Sequence, residues 1–155
     1  MKPEYPSHAH EAFSSEILER IAHVIADVEA ATHAEIRISI RDLREASEAD
    51  LSLHDLAKKE FAMLGMHHTD GSVGILLLVM YHERKFYVIG DEGVHSKVHP
   101  EAWKDVATTL GEHFKKADFE GGLAAALHKI QHHLEGVLLK GKGSKNVVSN
   151  EVIVR

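Results

Sequence analysis

Residues 74 to 81, Gly-Ile-Leu-Leu-Leu-Val-Met-Tyr, are a nearly unbroken apolar run. No polar residue alternates along it, so neither face of an extended chain here can meet water. A strand buried on both faces belongs in the middle of a sheet with helices on each side. The run is well short of the about 20 apolar residues that a membrane-spanning helix needs. It ends at His82-Glu83-Arg84-Lys85, a polar break of hairpin length, and Lys85 to Ile89 resumes as a second strand. Acidic, glycine-flanked sequence stands before the first strand (Asp70-Gly71) and after the second (Gly90-Asp91-Glu92-Gly93). An antiparallel hairpin sets those two ends side by side.

A chain of 155 residues is expected to form one domain with a sizeable core. A net charge of -6 with no basic patch argues against nucleic acid as a partner. Cysteine is absent, which excludes disulfides, thiolate catalysis and cysteine-based zinc sites. The N-terminus lacks a signal-peptide core, so the expectation is a soluble, cytoplasmic protein with no direct membrane insertion. Histidine is frequent, at 14 residues, with i, i+4 pairs at His95/His99 and His128/His132. At that frequency such pairs arise by chance, and no His-Glu-x-x-His motif accompanies them.

Residues 1–13, with Pro3 and Pro6, read as an irregular segment, and 14–139 as the single domain. Ser14 is positioned to cap a helix whose stripe is Ile17, Leu18, Ile21, Val24, Ile25 and Val28. Glu35-Ile-Arg-Ile-Ser-Ile-Arg41 alternates strictly, which predicts a half-buried strand with an outer position or partial helix cover. Ser52-x-x-Asp55 opens a second helix and Gly65 stops it. Strand, helix and strand in this order make a parallel βαβ unit. Pro100 marks the first turn of a third helix and Asp118 caps a fourth. Residues 140–155 form a basic, flexible connector and a tail, with Val147 to Val154 as a short strand or docked segment. The order α-β-α-β-β-α-α implies a three-layer α/β/α sandwich with a small mixed sheet, a reduced Rossmann-like α/β fold.

In that arrangement Thr32, Glu35, Asp70, Ser72, Asp91 and Glu92 fall at one edge of the sheet. Clustered carboxylates repel unless a cation or bound protons compensate. An oxygen-rich cluster of this kind suits a hard cation such as Ca²⁺ or Mg²⁺. The other reading is turn chemistry, because Asp-Gly and Gly-Asp pairs satisfy the backbone of tight turns. Spacing leaves both open. The usual ligand crevice of open α/β sheets lies at the opposite edge, at the carboxyl ends of the strands.

The same segments resemble the TPM domain family, in its short soluble bacterial members. The matching stretches are Thr32-His-Ala-Glu-Ile-Arg37, Leu64-Gly-Met-His-His-Thr69, Val73-Gly-Ile-Leu-Leu-Leu78, Lys85-Phe-Tyr-Val-Ile-Gly-Asp-Glu-Gly-Val94 and Asn150-Glu-Val-Ile153. Trp103, Phe114, Gly121 and Leu123 extend the match. The resemblance implies an α/β/α sandwich, a divalent-cation site and, for some relatives, weak acid phosphatase activity. It also implies accessory roles toward membrane proteins, in photosystem repair and receptor function. Relatives commonly carry Asp-Asn or Arg-Asn before Gly-Val-Leu-Leu; here Ser72-Val73 stands there.

Two functions follow as expectations. One is a non-catalytic interaction module with a weak Ca²⁺ or Mg²⁺ site that assists a membrane-associated protein partner. The other is a metal-dependent hydrolase of phosphate esters, with Asp91 or Asp70 as ligand or base. The run Gly136 to Gly143 approaches a phosphate-binding loop but lacks the Ser or Thr after Lys142 and follows a helix, so it is set aside.

Overall fold

The sheet has four strands in the order β3-β2-β1-β4. In the computed structural model the described residues are 6–69, 71–138 and 150–155. The chain runs α1 (Ala9–Ala12), α2 (Ser15–Thr32), β1 (Glu35–Arg41), a 3₁₀ turn (Ala46–Glu48), α3 (Leu53–Met63), β2 (Gly74–Met80) and β3 (Lys85–Gly90). It continues through α4 (Glu92–His95), α5 (Pro100–Phe114), α6 (Phe119–Leu134) and β4 (Ile153–Val154). β2 pairs parallel with β1 (Glu35 opposite Gly74) and antiparallel with β3 (Met80 opposite Lys85). The βαβ unit and the hairpin thus form as the sequence predicts.

The caps hold the helices where the chain marks them. The Ser14 hydroxyl accepts from the Ile17 N–H, Ser52 from Asp55 and Asp118 from Gly121. Each satisfies a donor that the first turn leaves without an intrahelical partner. α2 ends at His33, which takes the left-handed conformation at φ 66°.

The two faces of the sheet differ. On one face, Ile36, Ile38 and Ile40 of β1 and Ile75, Leu77 and Val79 of β2 are buried with residues of α2, α5 and α6. On the other, Leu56, Ala57 and Phe61 of α3 pack with Leu76, Leu78 and Met80. β2 is buried along its whole length, as its composition demands. Gly74 opens it because the Met66 carbonyl passes there: a Cβ at 74 would come within 2.5 Å of that oxygen.

Two expectations are corrected. Residues 1–13 are not irregular throughout: Ala9–Ala12 form a helical turn and Phe13 is buried, its ring 5.5 Å from that of Phe119. Burying a phenylalanine outweighs the weak helix signal of the segment. β1 is not an outer strand. β4 pairs parallel beside it, with Ser39 opposite Ile153 and Ile40 opposite Val154. The alternative expectation, partial helix cover, holds: Ser39 and Arg41 are buried against carboxylates of α3 and the 3₁₀ turn, while Glu35 and Arg37 are half-buried. Residues 147–149 of the expected terminal strand and the connector from 140 to 145 lie outside the described residues. Among the described residues, no helix is long and apolar enough to cross a membrane.

Candidate functional site

The two acidic, glycine-flanked segments do meet. The Asp91 N–H donates to the Gly74 carbonyl at 2.8 Å. A Cβ on Gly93 would stand 2.0 Å from the Gly71 carbonyl oxygen and 2.6 Å from that of Ser72. The loop before β2 and the first turn of α4 are therefore in backbone contact, which only glycine at 93 permits. Ser72 sits in this loop at φ 56°. Asp70 lies outside the described residues.

The side chains at this junction have other partners. Asp91 is the N-cap of α4: its Oδ1 accepts from the Glu92 N–H at 2.9 Å and lies 3.4 Å from His67 Nδ1. Thr32 is fully buried; its hydroxyl donates to the Val28 carbonyl at 2.7 Å and accepts from the Ala34 N–H. It closes a helix end and is turned away from any solvent-facing site. Glu92 is exposed, and Glu35 is half-buried. Among the described residues, Glu35, Asp91 and Glu92 do not form a group of three with ligand atoms within 4.8 Å of one another. Calcium takes 6–8 oxygens. The described side chains do not fit that demand.

Glu29 adds a carboxyl that carries no sequence signal, since it lies on the flank of an ordinary amphipathic helix. Its Oε2 accepts from the Ile36 N–H at 2.8 Å. Burial pushes its pKa up to about 8; the Ile36 N–H opposes the shift, and the charge of Glu35 adds to it. At neutral pH it is largely protonated.

Next to Asp91 a cleft of about 720 Å³ runs along β3. Six consecutive residues, Phe86 to Asp91, line it, so it follows the outer edge of the strand. β3 ends the sheet on this side, and no strand pairs with its outer edge among the described residues. α3 forms one wall with Phe61 and Lys58; α5 forms the other with Trp103 and Lys104. Trp103 closes on the strand because Gly90 has no side chain: a Cβ there would lie 3.2 Å from the indole. The Tyr87 hydroxyl is fixed 2.7 Å from His54 Nδ1. The charged lining is basic or neutral (Lys58, Lys104, His67, His95) except for Asp91 at one end. In a chain of net charge -6 this is a local reversal of sign.

A mixed four-stranded sheet between α2, α5 and α6 on one face and α3 on the other defines a three-layer α/β/α domain of Rossmann-like layering. The TPM domain family matches residues 8–133, and the chain belongs to that family. Its fold is similar to that of the BA42 protein from the psychrophilic bacterium Bizionia argentinensis, with TM-score 0.83 and 24% identity over 97% of this chain and 100% of that one. The N-terminal domain of a protein from P. gingivalis is similar with TM-score 0.67 and 16% identity, over 84% and 81% of the two chains. The N-terminal domain of cg2496 from Corynebacterium glutamicum follows with TM-score 0.61 and 14% identity, over 92% and 88%. At these identities the likeness carries the fold alone. The chain matches no curated protein.

Proposed function

We propose that this TPM domain is a non-catalytic interaction module that takes an extended, acidic segment of a membrane-associated protein along the outer edge of β3. The observation that carries the reading is the cleft itself: an edge strand flanked by Trp103 and Phe61, with Lys58 and Lys104 on its two walls. An edge strand presents a row of backbone donors and acceptors that an added strand satisfies. Aromatic walls bury alternate side chains of that strand, and the lysines favour carboxylates on it. The resemblance to accessory TPM domains supports the membrane-associated character of the partner. Binding of Ca²⁺ or Mg²⁺ near Asp91 accompanies this function only weakly, because few oxygens converge there.

The test uses Trp103, the single tryptophan, as its own reporter. A synthetic peptide of alternating valine and glutamate is titrated against the full chain. The expected result is a saturable change in emission, amide shifts confined to residues 86–91, and affinity about tenfold lower for Lys58→Glu with Lys104→Glu. No saturable binding at millimolar peptide, or equal binding of a valine–lysine peptide, would overturn the reading.

A second reading, metal-dependent hydrolysis of phosphate esters, draws on Asp91 beside His67 at one end of the cleft. Hydrolysis of p-nitrophenyl phosphate that requires Ca²⁺ or Mg²⁺ and disappears in Asp91→Asn would favour it over the binding module. Turnover equal to buffer leaves the module standing.

A further inference from the structure

At the other end of the sheet, past the carboxyl ends of β1 and β2, three side chains converge that neither reading uses. We propose that His8, Asp42 and His82 form a binding site for a divalent transition ion of the Zn²⁺ class. Each offers one ligand atom, and the three atoms lie within 4.8 Å of one another. Asp42 Oδ1 and His82 Nε2 are 3.3 Å apart, which is the spacing of about 3.3 Å between ligand atoms on a tetrahedral zinc. Rotation of the exposed His8 ring brings in the third ligand. Its centroid is 6.2 Å from that of His82, at an interplanar angle of 61°.

The backbone holds these positions. Asp42 follows β1 and His82 follows β2, and the parallel ladder continues past both strands: the Tyr81 N–H donates to the Arg41 carbonyl, and the His82 N–H to that of Asp42. His8 is distant in sequence and is tied down on each side. The Ala9 N–H donates to Asp42 Oδ1 at 2.7 Å, and the Tyr81 hydroxyl donates to the Pro6 carbonyl at 2.6 Å. Phe13, buried in the core, fixes the rest of the segment. The Ala9 N–H also orients the Asp42 carboxylate, the role an outer hydrogen bond plays for a ligating group.

The donor set selects the ion. Two imidazoles and one carboxylate suit zinc and its neighbours, whereas Ca²⁺ and Mg²⁺ take oxygen. His8 and His82 are exposed and Asp42 is half-buried, so a fourth position faces solvent and takes water or a ligand atom from a partner. The place agrees with the general rule for open α/β sheets, whose ligands sit outside the carboxyl ends of the strands. No sequence motif announces it, because the three residues come from three separate segments.

The experiment is calorimetric titration of the metal-stripped full chain with ZnCl₂ and, separately, with CaCl₂. His8→Gln and His82→Gln are run beside His128→Gln as a control on the remaining histidines. The expected result is one Zn²⁺ per chain with a Kd of about micromolar or tighter, weakened about tenfold or more in each of the first two variants and unchanged in the control. Imidazole NMR signals of His8 and His82 shift on addition of Zn²⁺, and the amide spectra of the variants report that the fold is kept. Absence of saturable binding at millimolar Zn²⁺, retention of binding in both variants, or tighter binding of Ca²⁺ than of Zn²⁺ at these residues would overturn the proposal.

Discussion

The guanidinium of Arg41 and the carboxylate of Glu48 meet at 2.5 Å, Nη2 to Oε1, with both side chains buried. Glu60 completes the group, 3.4 Å from Arg41 Nη1, and accepts from the Ser39 hydroxyl and from Arg155 at the end of the chain. Lys59 reaches Glu48 at 3.0 Å. Removing one member of a buried pair leaves an uncompensated charge, which costs about 3–5 kcal/mol. Arg41→Met is therefore expected to lose about that much stability in urea unfolding. A loss below about 1 kcal/mol would mean that the carboxylates are not held as ions by Arg41.

Two carboxyls shape the pH dependence in opposite directions. Arg41 holds Glu48 down to about 2 from an ordinary 4.5. Its folded pKa lies below its unfolded value, so this stability is present above about 4.5 and is lost as pH falls toward 2, on the order of 3 kcal/mol in all. Burial raises Glu29 to about 8 from 4.5. Here the folded state holds the proton more tightly, so stability is full below 4.5 and falls as pH rises through 8. Thermal unfolding across pH is expected to show both slopes. Glu29→Gln keeps an acceptor for the Ile36 N–H and flattens the alkaline one, with a Tm gain at about pH 8.5 of about 2–4 °C per kcal/mol recovered. An unchanged alkaline slope in Glu29→Gln would assign it to another group.

Gly93→Ala tests the contact between α4 and the loop before β2. The new methyl would meet the carbonyl oxygens of Gly71 and Ser72 well inside contact distance, and backbone cannot yield as a side-chain tip does. The expected loss is about 1–3 kcal/mol with amide shifts at residues 71–73 and 91–94. A variant as stable as the parent with an unchanged spectrum would show that the two segments stand apart in solution.

Calcium and magnesium at the Asp91 junction are expected to bind no tighter than about 10⁻⁴ M, the range of sites with few charged ligands. Calorimetric titration of metal-stripped protein beside Asp91→Asn measures this. Asparagine retains a side-chain oxygen for the α4 cap, so a fall in affinity reports the lost charge and not an unfolded turn. Submicromolar binding that Asp91→Asn abolishes would restore the cation-centred reading of the junction.

Much of the architecture is decided locally and is legible in the chain. The apolar run of β2 demands cover on both faces, His82 to Lys85 demands a turn, and Ser14, Ser52 and Asp118 cap helices that follow within one turn. These signals connect residues close in sequence, through period and hydrogen bonds to the next turn of backbone. The meeting of Gly71 with Gly93 follows from them, because a hairpin brings its two ends together. The candidate sites do not follow. The alternation of β1 leaves an outer position and partial helix cover both open, and Arg41 is buried because the carboxylates of Glu48 and Glu60 arrive from two other segments to pair with it. The cleft exists because α3 and α5 stop short of covering the outer edge of β3, and His8 reaches Asp42 and His82 because Phe13 anchors the N-terminal segment in the core. Local periodicity determines which elements form. Which polar side chains face one another is decided only when the packed core fixes segments that are far apart in the chain.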